Sequence, residues 1–304
     1  YRAAERRRRR IKHMLTGTIV KGIGGFYYVK TEEGLIECRA RGRFRRAGES
    51  PMVGDRVRIV RTAEDAQKGS VDAILPRKNM FIRPPVANID QLIITIAAAN
   101  PEPNLLLADQ LAVTAEAMGV HPVICVNKLD LNEEGAQTIA GIYQKAGYPV
   151  LLVSAREDVG TEQLKAVLQD KITALAGNSG VGKSSLLNCL NSLELETGDV
   201  SRKTQRGRHT TRHTELFELP FGGYVFDTPG FSSYAAEGLH PEEMASLFPE
   251  IAKAEGGCRF SGCAHVAEPG CSVKEAVGRG EIAPSRYENY CAFYQAAKAA
   301  KKWK

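Results

Sequence analysis

The sequence predicts three folded parts: an N-terminal all-β barrel, a central α/β domain with a mostly parallel sheet, and a C-terminal metal-binding module with helices. Three observations lead to this prediction. Short strand-like segments separated by turns come first, and apolar runs alternating with helical patterns follow. A compact cluster of cysteines and one histidine lies near the end. Each pattern is typical of one of these architectures.

The boundaries between the parts follow changes in composition. We place a basic arm at 1–13, the barrel at 14–76, a proline-containing linker at 77–88, the α/β domain at 89–238, and the metal-binding module with its basic C-terminal helix at 239–304.

Size and composition restrict the class of protein. The chain has 304 residues, a length that allows a sizeable core in two or three domains. Its composition, 43% hydrophobic and 25% charged, is that of an ordinary globular protein. The net charge of +6 lies in several basic clusters, which favours a polyanionic partner, although solvated faces are the alternative for any one cluster. The longest apolar run, 92–99, is too short to span a bilayer, and no signal segment is visible. The seven cysteines do not suggest a disulfide framework, so we expect a cytoplasmic protein without a membrane segment.

The N-terminal part contains the segments TGTIVKG, GFYYVKT, GLIECRA and DRVRIV, which predict a small barrel or sandwich. After the third segment, basic residues recur two apart, at Arg39, Arg41, Arg43 and Arg45. On a strand they would share one face, and with nearby aromatic residues they would suit an RNA surface. The alternatives are a charged edge strand that discourages aggregation, or a break at Gly42 that spreads the arginines around a turn.

The central part contains the apolar runs QLIITIAAA, HPVICVNK, YPVLLVSA, ITALAG and YVFDTPG, each ending at a polar or glycine-rich segment. Helical patterns fill most of the gaps, which predicts a parallel sheet covered on both faces. Ligands of such sheets bind beyond the carboxyl ends of the strands, where the polar segments lie.

One of these segments, GNSGVGKS, matches the phosphate-binding pattern G-x-x-x-x-G-K-[ST] between a strand and a helix. Its N–H groups and the helix N-terminus would bind phosphates, Lys183 would reach the β- and γ-phosphates, and Ser184 would bind Mg²⁺. The alternative is a glycine-rich turn without a ligand. The predicted phosphate-binding residues are Gly177, Asn178, Ser179, Gly180, Val181, Gly182, Lys183, Ser184 and Ser185.

A second segment, NKLD, predicts that the base is guanine. The Asp130 carboxylate can accept from both the N1–H and the 2-amino group of guanine, and adenine offers no such pair of donors. Asn127 would bridge to the phosphate loop, and the stem of Lys128 would cover the base. Ser154 and Ala155, which follow the next apolar run, would form a further wall.

A third segment, DTPG, completes the pattern of a nucleotide switch. Asp227 would hold Mg²⁺, and the N–H of Gly230 would sense the γ-phosphate. Upstream, Thr210 and Thr211 are the candidates for the switch threonine that also binds Mg²⁺.

The order of these elements is a cyclic shift of the usual one, because the base-reading segment precedes the phosphate loop. Joining the usual ends near 160–172 and cutting after Asp227 explains the order completely. The strands can keep their places in the sheet, since neighbouring termini permit such a permutation.

The C-terminal cluster Cys258, Cys263, His265 and Cys271 has the pattern C-x4-C-x-H-x5-C. Three thiolates and one imidazole suit a closed tetrahedral Zn²⁺ site, which would hold a small module together. Disulfides or free thiols are the alternatives. A catalytic zinc is disfavoured because no ligand position stays open.

Together, these segments resemble the circularly permuted, ribosome small-subunit-dependent GTPases of bacteria over nearly the whole chain, including GRHTTR and DTPGF. The resemblance implies an OB-type barrel, one structural Zn²⁺, and Mg²⁺ bound with GTP. It also implies a monomeric GTP-hydrolysing switch, stimulated by the 30S subunit, that binds 16S rRNA during late subunit maturation. Asn178 departs from the family pattern, which has proline there. The alternatives are a signalling-type GTPase with a protein partner and a zinc-containing RNA-binding module that uses nucleotide structurally.

The residue that orients the attacking water is not the usual glutamine after the switch, because Phe231 stands there. We predict that His209, beside the threonine pair, orients this water, since an imidazole can do so near neutral pH. The alternative is that His209 contacts RNA or solvent, and His213 is a weaker candidate.

Overall fold

The computed structural model describes residues 14–62, 65–81, 85–191, 215–227 and 239–301. They belong to two compact units. Unit 1 comprises 1–90, 170–174 and 198–228, and unit 2 comprises 91–169, 175–197 and 229–304. The predicted domain boundaries describe a different division and stay predictions.

Unit 1 contains the predicted barrel, which is confirmed. Its strands are β1 (Met14–Ile23), β2 (Phe26–Thr31), β3 (Gly34–Ala40), β4 (Arg56–Arg61) and β5 (Lys68–Ile74). They close in the order β1-β2-β3-β5-β4, with β3 and β5 parallel and the other described pairs antiparallel. Alternate side chains fill the interior, among them the fully buried Ile19, Val29, Val57, Ile59 and Val71.

The arginine segment after β3 does not continue as a strand, so the structure agrees with the alternative of a break at Gly42 rather than with a shared strand face. Strand β3 ends at Ala40, and helix α1 (Gly42–Ala47) follows. Phe44 is buried, and the helix ends at Gly48 in the left-handed region, with φ of 69°. Burial of one aromatic ring and a glycine cap therefore outweigh the period-2 spacing of the arginines.

The segment predicted as a linker packs on the barrel. It forms a small antiparallel sheet of β6 (Met80–Phe81) and β7 (Val86–Ala87). Before β6, Arg77 Nε and Nη2 donate to the buried Asp55 carboxylate at 2.7 and 2.8 Å. Gly54 approaches β7 so closely that a Cβ there would lie 2.0 Å from the Ala87 carbonyl oxygen. This ordering comes from long-range contacts, which the proline content does not reveal.

The predicted α/β sheet has six strands in the order β10-β9-β8-β11-β13-β12. The strands are β8 (Gln91–Ala97), β9 (His121–Asn127), β10 (Val150–Leu152), β11 (Ile172–Gly177), β12 (Phe217–Glu218) and β13 (Tyr224–Asp227). The division between the units runs through β11, so that β12, β13 and 172–174 belong to unit 1. Strands β8, β9 and β10 are parallel, and every residue of β8 is buried, as expected for a sheet covered on both faces.

Four α-helices of unit 2 lie within the described residues 91–191, and the first two of them begin at asparagine caps. They are α2 (Leu105–Ala117), α3 (Glu133–Lys145), α4 (Thr161–Leu168) and α5 (Lys183–Asn191). Asn104 and Asn132 cap α2 and α3 by accepting from backbone N–H groups at 3.0 and 2.9 Å.

The C-terminal module of unit 2 is helical. A 3₁₀ helix (Pro241–Leu247) is followed by α6 (Pro249–Ala254), α7 (Ser272–Gly278) and α8 (Pro284–Lys301). Met244, Phe248, Ile251, Val273 and Tyr290 form its buried core. No helix in the described part of the chain has the length and apolarity needed to cross a bilayer.

Candidate functional site

The phosphate-loop segment forms a turn between β11 and α5 that requires glycine. Gly177 has φ of 142°, and a Cβ there would lie 2.3 Å from the Thr95 carbonyl oxygen. Gly182 has φ of 95°, and a Cβ there would lie 2.3 Å from Asn127 Nδ2. Both positions favour glycine by backbone conformation and by space, so the loop can approach its neighbours closely.

Lys183, the first residue of α5, folds back over this loop. Its Nζ donates to the carbonyl oxygens of Gly177 and Asn178, both at 2.9 Å. These contacts hold a cation beside the loop at the N-terminus of α5, where the dipole favours an anion. Ser184 and Ser185 follow in the first turn of the same helix.

Asn127, at the end of β9, joins three segments of unit 2. Its Nδ2 donates to Val181 O in the phosphate loop at 2.9 Å, and its Oδ1 accepts from Ala155 N at 3.2 Å. The side chain is buried. One amide therefore sets the distance between the phosphate loop and the segment after β10.

Asp130 lies in a short 3₁₀ helix (Leu129–Leu131) directly after β9. Ser154 Oγ donates to Asp130 Oδ1 at 2.6 Å. The Leu129 N–H donates to Val153 O at 3.1 Å, which joins this turn to the end of β10. The structure thus brings the predicted base-reading carboxylate together with its predicted neighbour.

Lys128 adopts the left-handed conformation, with φ of 64°, and its Nζ donates to the Asn100 carbonyl oxygen. Sequence reasoning missed the segment around Asn100, which lies next to the carboxyl end of β8. Pro101 also packs near the phosphate loop, with its Cδ at 3.7 Å from a Cβ built on Gly180. The rule that ligands bind beyond strand carboxyl ends could have identified this polar, proline-containing segment.

Several predicted switch residues lie outside the described residues: His209, Thr210, Thr211, His213, Gly230 and Phe231. Asp227 ends β13, but its side chain is also outside the described part.

The ligand atoms of Cys258, Cys263, His265 and Cys271 all lie within 4.8 Å of one another. His265 Nδ1 is 3.5 Å from the sulfur atoms of Cys258 and Cys271, and those sulfur atoms are 3.9 Å apart. In a tetrahedral zinc site, Zn–S and Zn–N bonds of about 2.3 and 2.0 Å require S···S near ~3.8 Å and S···N near ~3.5 Å. The donor set and the spacing therefore fit Zn²⁺.

The chain around the cluster is organised to hold these ligands. Glu268 accepts from the N–H groups of Ala264, Val266 and Ala267, each at 3.1 Å. His265 Nε2 faces Glu255 Oε2 at 3.7 Å, a placement suited to orienting a metal-bound imidazole. Such secondary contacts are typical of a structural metal site.

A buried ionic cluster joins the C-terminal module to α2, and sequence reasoning missed it. Arg286 in α8 donates to Asp109 Oδ1 at 2.7 Å and to both oxygens of Glu250 at 2.7 and 3.1 Å. Its guanidinium lies 4.6 Å from the centre of the Phe248 ring. Tyr143 OH also donates to Asp109, at 2.9 Å. No local sequence pattern distinguishes this buried arginine from an exposed one.

The arginines proposed for RNA have different environments in unit 1. Arg39 lies over the Phe26 ring, 4.4 Å from its centre. Arg41 pairs with Asp72 at 2.7 Å, and Arg43 lies 3.7 Å from the same carboxylate. The Arg45 side chain is outside the described part. Arg39 therefore lies on an aromatic platform, and Arg43 lies 5.3 Å from the centre of the Phe44 ring.

Comparison with known proteins identifies the family. The model of the family described as RsgA GTPase matches residues 74–237, and the model described as RsgA N-terminal domain matches residues 16–71. The small ribosomal subunit biogenesis GTPase RsgA of Ruminiclostridium cellulolyticum is 46% identical over 294 residues, 96% of each chain. Its counterpart in Halalkalibacterium halodurans is 46% identical over 295 residues, covering 95% of this chain and 99% of the relative.

Two solved structures have the same architecture. YloQ, described as a circularly permuted GTPase, has a TM-score of 0.79 and 38% identity, covering 94% of this chain and 96% of YloQ. YjeQ from Thermotoga maritima has a TM-score of 0.79 and 38% identity, covering 93% and 98% of the two chains. The reversed order of the nucleotide motifs, the barrel and the extent of these matches lead to one conclusion: the chain belongs to the RsgA family of circularly permuted GTPases.

Proposed function

We propose that this GTPase is a switch that binds the small ribosomal subunit and acts late in its maturation. The relatives are named small ribosomal subunit biogenesis GTPases. The observation that carries the nucleotide part of the proposal is the Asn127 side chain, which bonds the phosphate loop on one side and the Ala155 N–H on the other. This contact makes phosphate binding and base binding depend on each other.

The chemistry of binding follows from the side chains around Asn127. Asp130, which accepts from Ser154 Oγ, would accept from guanine, and the Lys128 stem would cover the base. The loop N–H groups and Lys183 would hold the phosphates. Mg²⁺ supplies charge neutralisation when bound with GTP, and we propose that its ligands are Ser184, Asp227 and either Thr210 or Thr211.

We further propose that the cysteine–histidine cluster holds one structural Zn²⁺. The S···S and S···N distances support this proposal, and the four ligands leave no position for a substrate.

For the ribosomal partner, we propose contact with 16S rRNA through the barrel arginines. Support comes from Arg39 stacked on Phe26 and from the net charge of +6. We propose that the protein acts as a monomer in the cytoplasm.

The experiment that tests the switch compares GTP turnover with and without purified small subunits. We expect slow basal turnover and strong stimulation by the subunits. Lys183→Ala is the matched negative control, since it removes the cation from the phosphate loop. Turnover that small subunits do not change would contradict the proposal, and stimulation by a ribosome-free protein fraction instead would support a signalling GTPase.

We also propose that His209 orients the attacking water when the subunit is bound. His209→Ala should keep GTP affinity, subunit binding and the slow basal rate, and should lose most of the stimulated rate, by roughly tenfold or more. His213→Ala serves as the control. A His209→Ala protein that is stimulated like wild type would show that another group orients the water.

A further inference from the structure

The segment 215–218 is held on the first strand of the barrel. Leu216 N donates to Val20 O at 2.8 Å, and Lys21 and Glu215 form an antiparallel bridge. The Leu216 side chain is buried. Main-chain bonding and apolar burial therefore fix the register of this segment against β1.

Two ion pairs add to this attachment. Lys21 Nζ lies 2.8 Å from Glu215 Oε2, and Lys30 Nζ, on β2, lies 2.6 Å from Glu218 Oε2. All four side chains are partly exposed, so each pair alone contributes little. The main-chain bonds fix the register of the segment against β1, and the two ion pairs connect the segment to the neighbouring strands β1 and β2.

The position of the segment in the chain links it to magnesium binding. Thr210 and Thr211, the proposed Mg²⁺ ligands, precede Glu215 by a few residues. On the other side, β12 pairs with β13 in the register Phe217 with Val225, and β13 ends at Asp227. The held segment therefore lies in sequence between two proposed ligands of the same ion.

The outer face of β2 connects this attachment to the proposed RNA surface. Val29 is fully buried, so Tyr28 and Lys30 point to the opposite face, which Phe26 shares by alternation. Phe26 carries Arg39 on its ring. From Phe26 to Lys30 the strand rises by roughly 13 Å. One strand thus carries both the aromatic platform and an ion pair to the segment before Asp227.

We propose that Lys21 and Lys30 are positioning residues for subunit-stimulated GTP hydrolysis. They hold Glu215 and Glu218, so that a barrel docked on rRNA also fixes β12, the partner of the strand that ends at Asp227. This inference rests on the proposed function, since it concerns the stimulated rate.

The test is a charge-swap cycle on both pairs in the full-length protein. The variants are Lys21→Glu, Glu215→Lys and their double, and Lys30→Glu, Glu218→Lys and their double. Each single variant should lower the stimulated kcat by about threefold, the effect of losing one partly exposed ion pair. Each double variant should recover most of it, with the basal rate and the KM for GTP unchanged throughout.

Thermal unfolding and subunit co-sedimentation are measured for every variant. The pair Lys165–Glu162 on α4, also 2.6 Å long, gives the control swap and should change nothing. Glu215→Lys and Glu218→Lys retain both lysines, so they separate an ion-pair role from a role of the lysines as RNA contacts.

If both of these glutamate variants are stimulated as well as wild type, or if the doubles fail to recover, the inference is wrong while the proposed function stands. Wild-type protein that is not stimulated by small subunits would overturn both.

Discussion

At the residue scale, the carboxylate of Asp130, which we propose reads guanine, is oriented by a single hydroxyl group. Ser154 Oγ donates to Asp130 Oδ1 at 2.6 Å and accepts from the Glu157 N–H at 3.2 Å. The backbone therefore fixes the position of the hydroxyl group, and the hydrogen bond from the hydroxyl restricts the orientation of the carboxylate. An oriented carboxylate can accept from two donors on one edge of guanine without a further loss of side-chain freedom.

Asp130→Asn should change the preference of the site from guanine nucleotides to xanthine nucleotides. The new amide N–H can donate to the C2 carbonyl of xanthine, whereas it faces the 2-amino group of guanine donor to donor. We expect GTP affinity to fall by about 100-fold, corresponding to roughly 2–3 kcal/mol, and XTP affinity to rise. Titration with the two nucleotides measures this, and exposed Glu133→Gln is the control. Unchanged GTP affinity would show that Asp130 does not contact the base.

At the scale of elements, the C-terminal module contains two separate groups of stabilising contacts. The cysteine–histidine cluster organises the loops around 258–271, whereas Arg286 anchors α8 to α2. The two groups of contacts lead to different predictions, because the cluster would depend on a bound metal and the Arg286 contacts depend on buried charge.

Removal of zinc with a chelator should unfold the region from about 256 to 275 and leave GTP binding largely intact, because the phosphate loop and Asn127 do not depend on the cluster. Metal analysis and thiol alkylation measure the loss. Burial raises the pKa of Cys38 and Cys125 to about 12, so these thiols stay protonated and serve as unreactive internal controls. Purified protein without zinc, or alkylation unaffected by the chelator, would contradict a zinc site.

Arg286→Met should destabilise unit 2 strongly. Burial alone would lower the pKa of Arg286, but Asp109 and Glu250 raise it above its usual value, so the guanidinium stays charged. Without it, two buried carboxylates lose their counter-charge, and the free energy of unfolding should fall by about 3–5 kcal/mol at pH 7.

The sign of the pH dependence tests this explanation. Unpaired buried carboxylates bind protons more readily in the folded state, so the variant should regain stability as the pH falls towards 5. Urea unfolding at pH 5 and pH 7 measures the difference. Exposed Arg279→Met, which loses only the pair with Glu281, should change stability far less than Arg286→Met does. Equal losses for the two variants would show that burial of the Arg286 pair is not the cause.

At the scale of the whole molecule, the chain carries a net charge of +6 in separate basic clusters. Binding to a polyanion that neutralises several charges releases counterions. We expect association with small subunits to weaken by at least about tenfold when KCl is raised from 50 to 200 mM.

Co-sedimentation at both salt concentrations measures this effect, with GTP affinity as the control, since the nucleotide is held by a local site. Subunit association that does not change with salt would indicate that contacts with ribosomal proteins, rather than with rRNA phosphates, dominate.

The sequence by itself determined the nucleotide, the order of the motifs, the presence of a barrel and a cysteine–histidine cluster that could hold a metal. These features depend on residue type at short spacing: a glycine-rich turn before a helix, a carboxylate after a buried strand, and four ligands in one short segment. Their chemistry is local, so a pattern of a few residues is sufficient to indicate it.

Tertiary structure alone decided the features that depend on contacts far apart in the chain. The chain after β3 forms α1 because Phe44 is buried there, and the start of the proline segment is held on the barrel because Arg77 pairs with Asp55. Arg286 is buried because Asp109 and Glu250, distant in sequence, converge on it. Burial and ion pairing across such separations outweigh local preference. Burying an aromatic ring contributes more free energy, and leaving a buried charge without its counter-charge costs more, than the small propensity differences along the chain.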